Sequence, residues 1–155
     1  MLIDHNDIPQ VAMDFMNEVH KEDVDIINTI FEHILVYDGS EASAKAIDEL
    51  YSQWIEHTVI HFQNEEIKMR EMHFPPYLAH KGEHDRALQE MRNLFSYWQQ
   101  QRDIQALKIY FIETLPTWLQ THISTMDTVT ARFFATGQSP CGGASAKLSF
   151  HSFNS

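Results

Sequence analysis

The sequence predicts an all-α fold: an up-down-up-down antiparallel four-helix bundle with an N-terminal arm and a C-terminal tail. Apolar residues recur at helical spacing through most of the 155 residues, no stretch shows sustained strand-like alternation, and the links between the periodic stretches are short. The first helix is expected from about Asp14 to Tyr37, with Val24, Ile27, Ile30, Phe31 and Ile34 on the side that also carries His20, and Asp38-Gly39 as its stop. Ser40 offers an N-cap for a second helix from about Glu41 to Met72, whose stripe of Ile47, Leu50, Trp54, His61 and Glu65 runs until Pro75-Pro76. A third helix begins near Pro76 and places His80, His84, Leu88, Met91 and Phe95 on one face before Gln99-Gln100-Gln101. After a turn at Arg102-Asp103, the fourth runs from about Ile104 to Ala135, bringing Leu107, Phe111, Leu115, Trp118 and His122 inward, and Gly137 stops it. Pro116 falls inside this last helix, so either the helix bends there or a short segment precedes it.

The length suits one domain, expected at residues 1–137, with 1–13 as an arm packed across the bundle and 138–155 as a flexible, small-residue-rich tail. With 43% apolar and 21% charged residues the composition is that of a soluble domain, and no apolar run approaches the roughly 20 residues of a membrane span. No secretory signal is recognisable at the N-terminus, and the single cysteine, Cys141, permits no internal disulfide, so a cytoplasmic location is expected. A net charge of −11 without a basic stripe argues against nucleic acid as a partner. Ten histidines are the unusual feature, because imidazole is the side chain most used for transition metals near neutral pH.

Their placement is informative. His61-Phe-Gln-Asn-Glu65 sets an imidazole and a carboxylate one helical turn apart, and His80-Lys-Gly-Glu-His84 sets two imidazoles likewise, both on apolar stripes. His20 adds an inward imidazole from the first helix and His122 one from the fourth. Asp127 follows His122 by five residues, which in a regular helix turns it about 140° away, so spacing alone does not select it. Burying five imidazoles and two carboxylates without partners would cost several kcal/mol per group, more than the ~5–15 kcal/mol by which a domain is stable. A pair of divalent ions removes that conflict by bringing positive charge against the carboxylates.

Over about residues 14–135 the chain resembles the hemerythrin family, in particular its single-domain prokaryotic branch, the bacteriohemerythrins. The resemblance rests on Met16-Asn-Glu-Val-His20, His61-Phe-Gln-Asn-Glu65-Glu66, His80-x-x-x-His84 and Trp118-Leu-Gln-Thr-His122-Ile-x-x-x-Asp127. It implies two iron ions (Fe2+/Fe3+) with an oxo or hydroxo bridge: His80, His84 and His122 on one, His20 and His61 on the other, and Glu65 and Asp127 bridging. It further implies reversible O2 binding at the second iron, beside an apolar pocket that includes Trp118, Leu119 and Ile123, in a monomeric carrier, store or delivery protein that is not an enzyme. An oxygen or redox sensor, or a scavenger of nitric oxide or peroxide, is the alternative role, with the 138–155 tail as a possible protein-docking element.

Ferritin-like di-iron enzymes are disfavoured, because no Glu in the chain has a His three residues later. A phosphohydrolase built on His84-Asp85 with His61 and Asp127 is the less favoured rival, since Asp85 turns about 100° from His84 onto the solvent face. His57 is read as a near-surface side chain in preference to a hydrogen-bond partner behind the ligands, and Glu66 as solvent-facing or helix-capping. His5, His33, His73 and His151 match no ligand position.

Overall fold

In a computed structural model, which describes residues 1–137, the four helices fall where the sequence predicts; Cys141, His151 and the rest of the 138–155 segment lie outside the described residues. The first helix is Asp14–Leu35, the second Glu41–Glu71 and the third Tyr77–Gln101. Their ends follow from local chemistry. The Ser40 hydroxyl accepts the Ser43 N–H, and Gly39 takes up the left-handed backbone (φ 83°) that a side chain would strain. Arg102 (φ 50°) closes the third helix, and the Asp103 carboxylate then accepts the N–H groups of Gln105 and Ala106 to open the fourth.

The fourth helix spans 104–136 and is composite. It is α-helical at Ile104–Ile109, Leu115–His122 and Thr128–Thr136, and π-helical at Tyr110–Thr114 and Ile123–Asp127. The first π turn resolves the question raised by Pro116. Because the Leu115 N–H reaches five residues back to the Tyr110 carbonyl, the widened turn ends where the proline begins, and Pro116 sits in the first turn of the next α segment, where its missing N–H is tolerated.

Each helix packs on the next in sequence and the fourth returns to the first. The interior is layered. One apolar cluster gathers Val24, Ile30, Ile47, Trp54, Met91 and Leu107 from all four helices; a smaller one holds Met16, Met69, Phe74, Ala131 and Phe134 at the other end. Along every helix the buried histidines and carboxylates lie between these two clusters, a level they can share only if successive helices run in opposite directions. The N-terminal arm covers the larger cluster with Ile3 and Ile8, and the Asn28 side chain pins it by exchanging two hydrogen bonds with the Ile3 backbone at 2.8 and 2.9 Å.

The far end of the bundle is fastened by Asp48, which accepts the indole N–H of fully buried Trp98 at 2.8 Å and two guanidinium hydrogen bonds from Arg102 at 2.7 and 2.8 Å. Asp48→Ala would leave the Trp98 N–H buried without a partner, so a loss of about 1–3 kcal/mol is expected. Urea denaturation should show a lower midpoint with an unchanged slope; an unchanged midpoint would contradict the assignment.

Candidate metal centre

Seven side chains drawn from all four helices meet in the layer between the clusters, each between 0% and 7% exposed: His20, His61, Glu65, His80, His84, His122 and Asp127. They fall into two groups whose ligand atoms lie within 4.8 Å of one another: His80, His84, His122 and Asp127 in one, and His20, His61 and Glu65 in the other. The carboxylates span both. Asp127 Oδ2 is 3.0 Å from His20 Nε2, while its Oδ1 is 3.1 Å from His80 Nε2 and 3.2 Å from His122 Nε2. Glu65 Oε2 is 2.7 Å from His61 Nε2, while its Oε1 faces His84 Nε2 at 3.4 Å and His80 Nε2 at 3.7 Å.

These residues fit a pair of cations. Glu65 Oε1, Asp127 Oδ1 and His84 Nε2 are fully enclosed yet have no hydrogen-bond partner, although other polar atoms lie close by. The Nε2 atoms of His80 and His122 even face each other at 3.3 Å. Lone pairs aimed at shared points rather than at donors are what metal ligands require, and orphaned polar atoms would otherwise be costly.

The ring edges opposite the cluster explain the orientation of three imidazoles. His80 Nδ1 is 2.7 Å from Thr130 Oγ1, His84 Nδ1 is 2.8 Å from Glu66 Oε2, and His61 Nδ1 is 2.9 Å from Asp23 Oδ2, although this last approach lies off the hydrogen-bond direction. Partners on the far ring nitrogen fix tautomer and aim. Phe62 stacks flat on His84 at 3.8 Å, and Trp118 on His122 at 4.7 Å with its N–H donated to Glu83 at 2.9 Å. The second π turn accounts for Asp127. Ile123–Asp127 has about one residue more per turn than an α-helix, which returns a side chain five positions after His122 to the same face, and the Thr128 hydroxyl holds the widened turn through Ile123 O at 2.7 Å.

A cavity of about 30 Å3 adjoins the cluster, bordered by His20, Asp23, His61, His122 and Asp127 and by the apolar side chains of Ile27, Trp54, Met91, Leu115, Trp118 and Leu119. Of the three residues expected to line a pocket, Trp118 and Leu119 border it. Ile123 is fully buried in the larger apolar cluster and does not.

Glu66 is a correction: instead of facing solvent it is buried, 8% exposed, against His84. Asp23 and Thr130 were not anticipated, although each lies three residues after a cluster residue, His20 and Asp127, and so shares its helix face. His57 is half-buried beside Asp23. Asp85 is exposed and bonded to Lys81 at 2.6 Å, which removes the basis of the phosphohydrolase reading. His5 and His73 are exposed, and neither they nor His33 belong to the two ligand groups.

Without metal the cluster is an ion-pair network. Burial opposes charge on His61, but Asp23 and Glu65 outweigh it and hold its pKa well above the usual value; His84 is raised against burial by Glu65 and Glu66. Burial likewise opposes ionisation of Asp127, yet His122, His20 and His80 keep it well below the usual carboxylate range, and Glu65 is lowered mainly by His61 against burial and Asp127. In His80, burial prevails and the pKa is lowered. Raised histidines stabilise fully below about pH 6.5 and lose that contribution as pH rises through their folded values; the lowered carboxylates contribute above about pH 4, and His80 opposes the two raised histidines. Metal-stripped protein should therefore melt at lower temperature at pH 8 than at pH 6. Metal-loaded protein should show the reverse, because protons compete for the imidazoles below about pH 6. Parallel slopes in the two melting series would contradict this.

No helix among the described residues is long and apolar enough to cross a membrane. The bacteriohemerythrin of Aquifex aeolicus is 28% identical over 132 residues, covering 85% of this chain and 97% of that protein. Those of Ralstonia nicotianae and Methylococcus capsulatus are each 32% identical, over 101 residues (64% of this chain, 69% of the relative) and 72 residues (46% and 51%) respectively. No solved structure matches. The family described as Hemerythrin HHE cation binding domain matches residues 11–133, a span that holds all seven clustered side chains and the four helices that carry them nearly to their ends. A buried His/Asp/Glu cluster on a four-helix bundle, inside a match of that extent, identifies the chain as a member of the hemerythrin family.

Proposed function

We propose that the chain binds O2 reversibly at a di-iron centre and carries, stores or delivers it, as a ligand-binding protein rather than an enzyme. In this reading His80, His84 and His122 hold one iron, His20 and His61 the other, and Glu65 and Asp127 bridge them. When bound, the two ions supply the electrons that O2 takes up on binding and returns on release.

The observation that carries the reading is the small, mostly apolar cavity that adjoins both ligand groups. A water-sized molecule needs about 10–15 Å3 by the same measure, so a cavity of about 30 Å3 admits a diatomic and little more. His20 and His61 lie in its polar wall together with Asp23, His122 and Asp127, so an ion that His20 and His61 would hold with fewer imidazoles than its neighbour has the cavity beside it for a further ligand. Trp54, Leu115, Trp118 and Leu119 keep water out, which slows irreversible oxidation. All seven ligands come from one chain, so residues 1–137 suffice as a monomer, and a cytoplasmic setting suits an iron pair kept ferrous.

The test is spectroscopic. Iron-loaded, reduced protein under argon should gain a visible absorption band in air and lose it again on re-purging. Failure to form the band, or its persistence under argon, would contradict reversible binding and favour a scavenger.

A further inference from the structure

The backing partners of the imidazoles differ in where their charge is felt. Glu66 supports His84 from an outer groove that it shares with Gln63, Arg70 and Arg92, away from the ligand cavity. Asp23 supports His61 from the wall of the cavity itself, where it is the one acidic residue outside the two ligand groups. Its side chain is 8% exposed, and Oδ1 has no hydrogen-bond partner although His57 Nε2 lies 3.0 Å away. His57, with its side chain 25% exposed, stands between Asp23 and solvent, with Glu22 Oε2 at 3.8 Å.

Any molecule in so small a cavity lies close to this carboxylate. A negative charge about 6 Å from a bound anion, at an effective dielectric constant of about 20, weakens the anion's affinity by roughly a hundredfold, and a positive His57 behind it offsets part of that. O2 brings no net charge into the site, because the electrons it takes up come from the adjoining ions, so the carboxylate acts only on a shift of charge within the site and its effect on O2 is smaller than on an anion. We infer that Asp23 is a specificity-determining residue that selects the cavity's ligand by charge, turning away small anions in favour of neutral molecules, with His57 as its counter-ion at the surface. The inference rests on the di-iron reading above.

The two members of the pair act with opposite sign, which a merely structural role would not produce. The test titrates azide, a small linear anion, into oxidised iron-loaded protein by absorption, measures O2 affinity of the reduced protein in parallel, and records iron per chain. Asp23→Asn, which keeps the shape and removes the charge, should raise the ratio of azide to O2 affinity at least about tenfold. His57→Gln, which leaves Asp23 uncompensated, should lower that ratio about threefold or more. Ratios that stay at the wild-type value, or that move in the same direction in both variants, overturn the inference. Should Asp23→Asn lose iron, the His57→Gln ratio decides alone: a fall supports the inference and no fall overturns it. Wild-type protein that binds neither iron nor O2 would bring down the di-iron reading as well, a result distinguishable from wild-type binding with unmoved ratios.

Discussion

Glu65→Ala is expected to release the iron and to melt roughly 8–16 °C below the loaded wild type. Its two carboxylate oxygens face different ligand groups, Oε2 toward His61 at 2.7 Å and Oε1 toward His84 at 3.4 Å, so on the proposed assignment one truncation would remove a ligand from each ion and a compensating negative charge from both. Metal present at about a thousand times its dissociation constant stabilises the fold by about 4 kcal/mol, and for a chain of this length each kcal/mol is worth roughly 2–4 °C. His80→Ala should follow in the same direction, because His80 Nε2 lies between Asp127 at 3.1 Å and His122 at 3.3 Å. Iron analysis and thermal melts of loaded and stripped samples check both. Wild-type iron content and normal O2 binding in either variant would refute the site assignment.

Trp118→Ala is expected to bind iron but to autoxidise at least about tenfold faster. The indole stacks on His122 at 4.7 Å with the planes 11° apart, is anchored through its N–H to Glu83 and borders the cavity while its own outer edge is partly exposed. Its removal opens the cavity to solvent between the third and fourth helices, and water and protons then reach the centre. A stability loss of about 2–3 kcal/mol should accompany it, less than for a fully enclosed tryptophan because part of the ring already meets water. The decay of the oxygenated band in air measures the first effect and denaturant unfolding the second. A band that decays at the wild-type rate would show that Trp118 is packing alone.

The fold was legible because its signals are local. Gly39, Ser40, Arg102-Asp103 and Gly137 mark helix ends through backbone conformation or capping, and all four act there as predicted. All five histidines, together with Glu65, were legible for a related reason: on a regular helix, inward position can be read from the apolar stripe. Asp127 was not, because reading it required the helix to depart from 3.6 residues per turn, and only the resemblance supplied it. The departure itself has a sequence correlate in the five-residue step from His122 to Asp127, followed by Thr128, whose hydroxyl bonds the Ile123 carbonyl. Asp23, Glu66 and Thr130 escaped because polar residues on a helix are usually taken as solvated. What brings them inward is the far nitrogen of a buried imidazole, a partner defined by tertiary packing.

The claim on which the rest depends is that seven side chains from four helices enclose two irons. Diffraction from iron-loaded crystals, with anomalous differences collected at the iron edge, tests it most directly. Two peaks are expected, one among the Nε2 atoms of His80, His84 and His122 and the other beside those of His20 and His61, each within reach of both Glu65 and Asp127. A single peak, peaks outside this layer or none in a fully loaded crystal would contradict it.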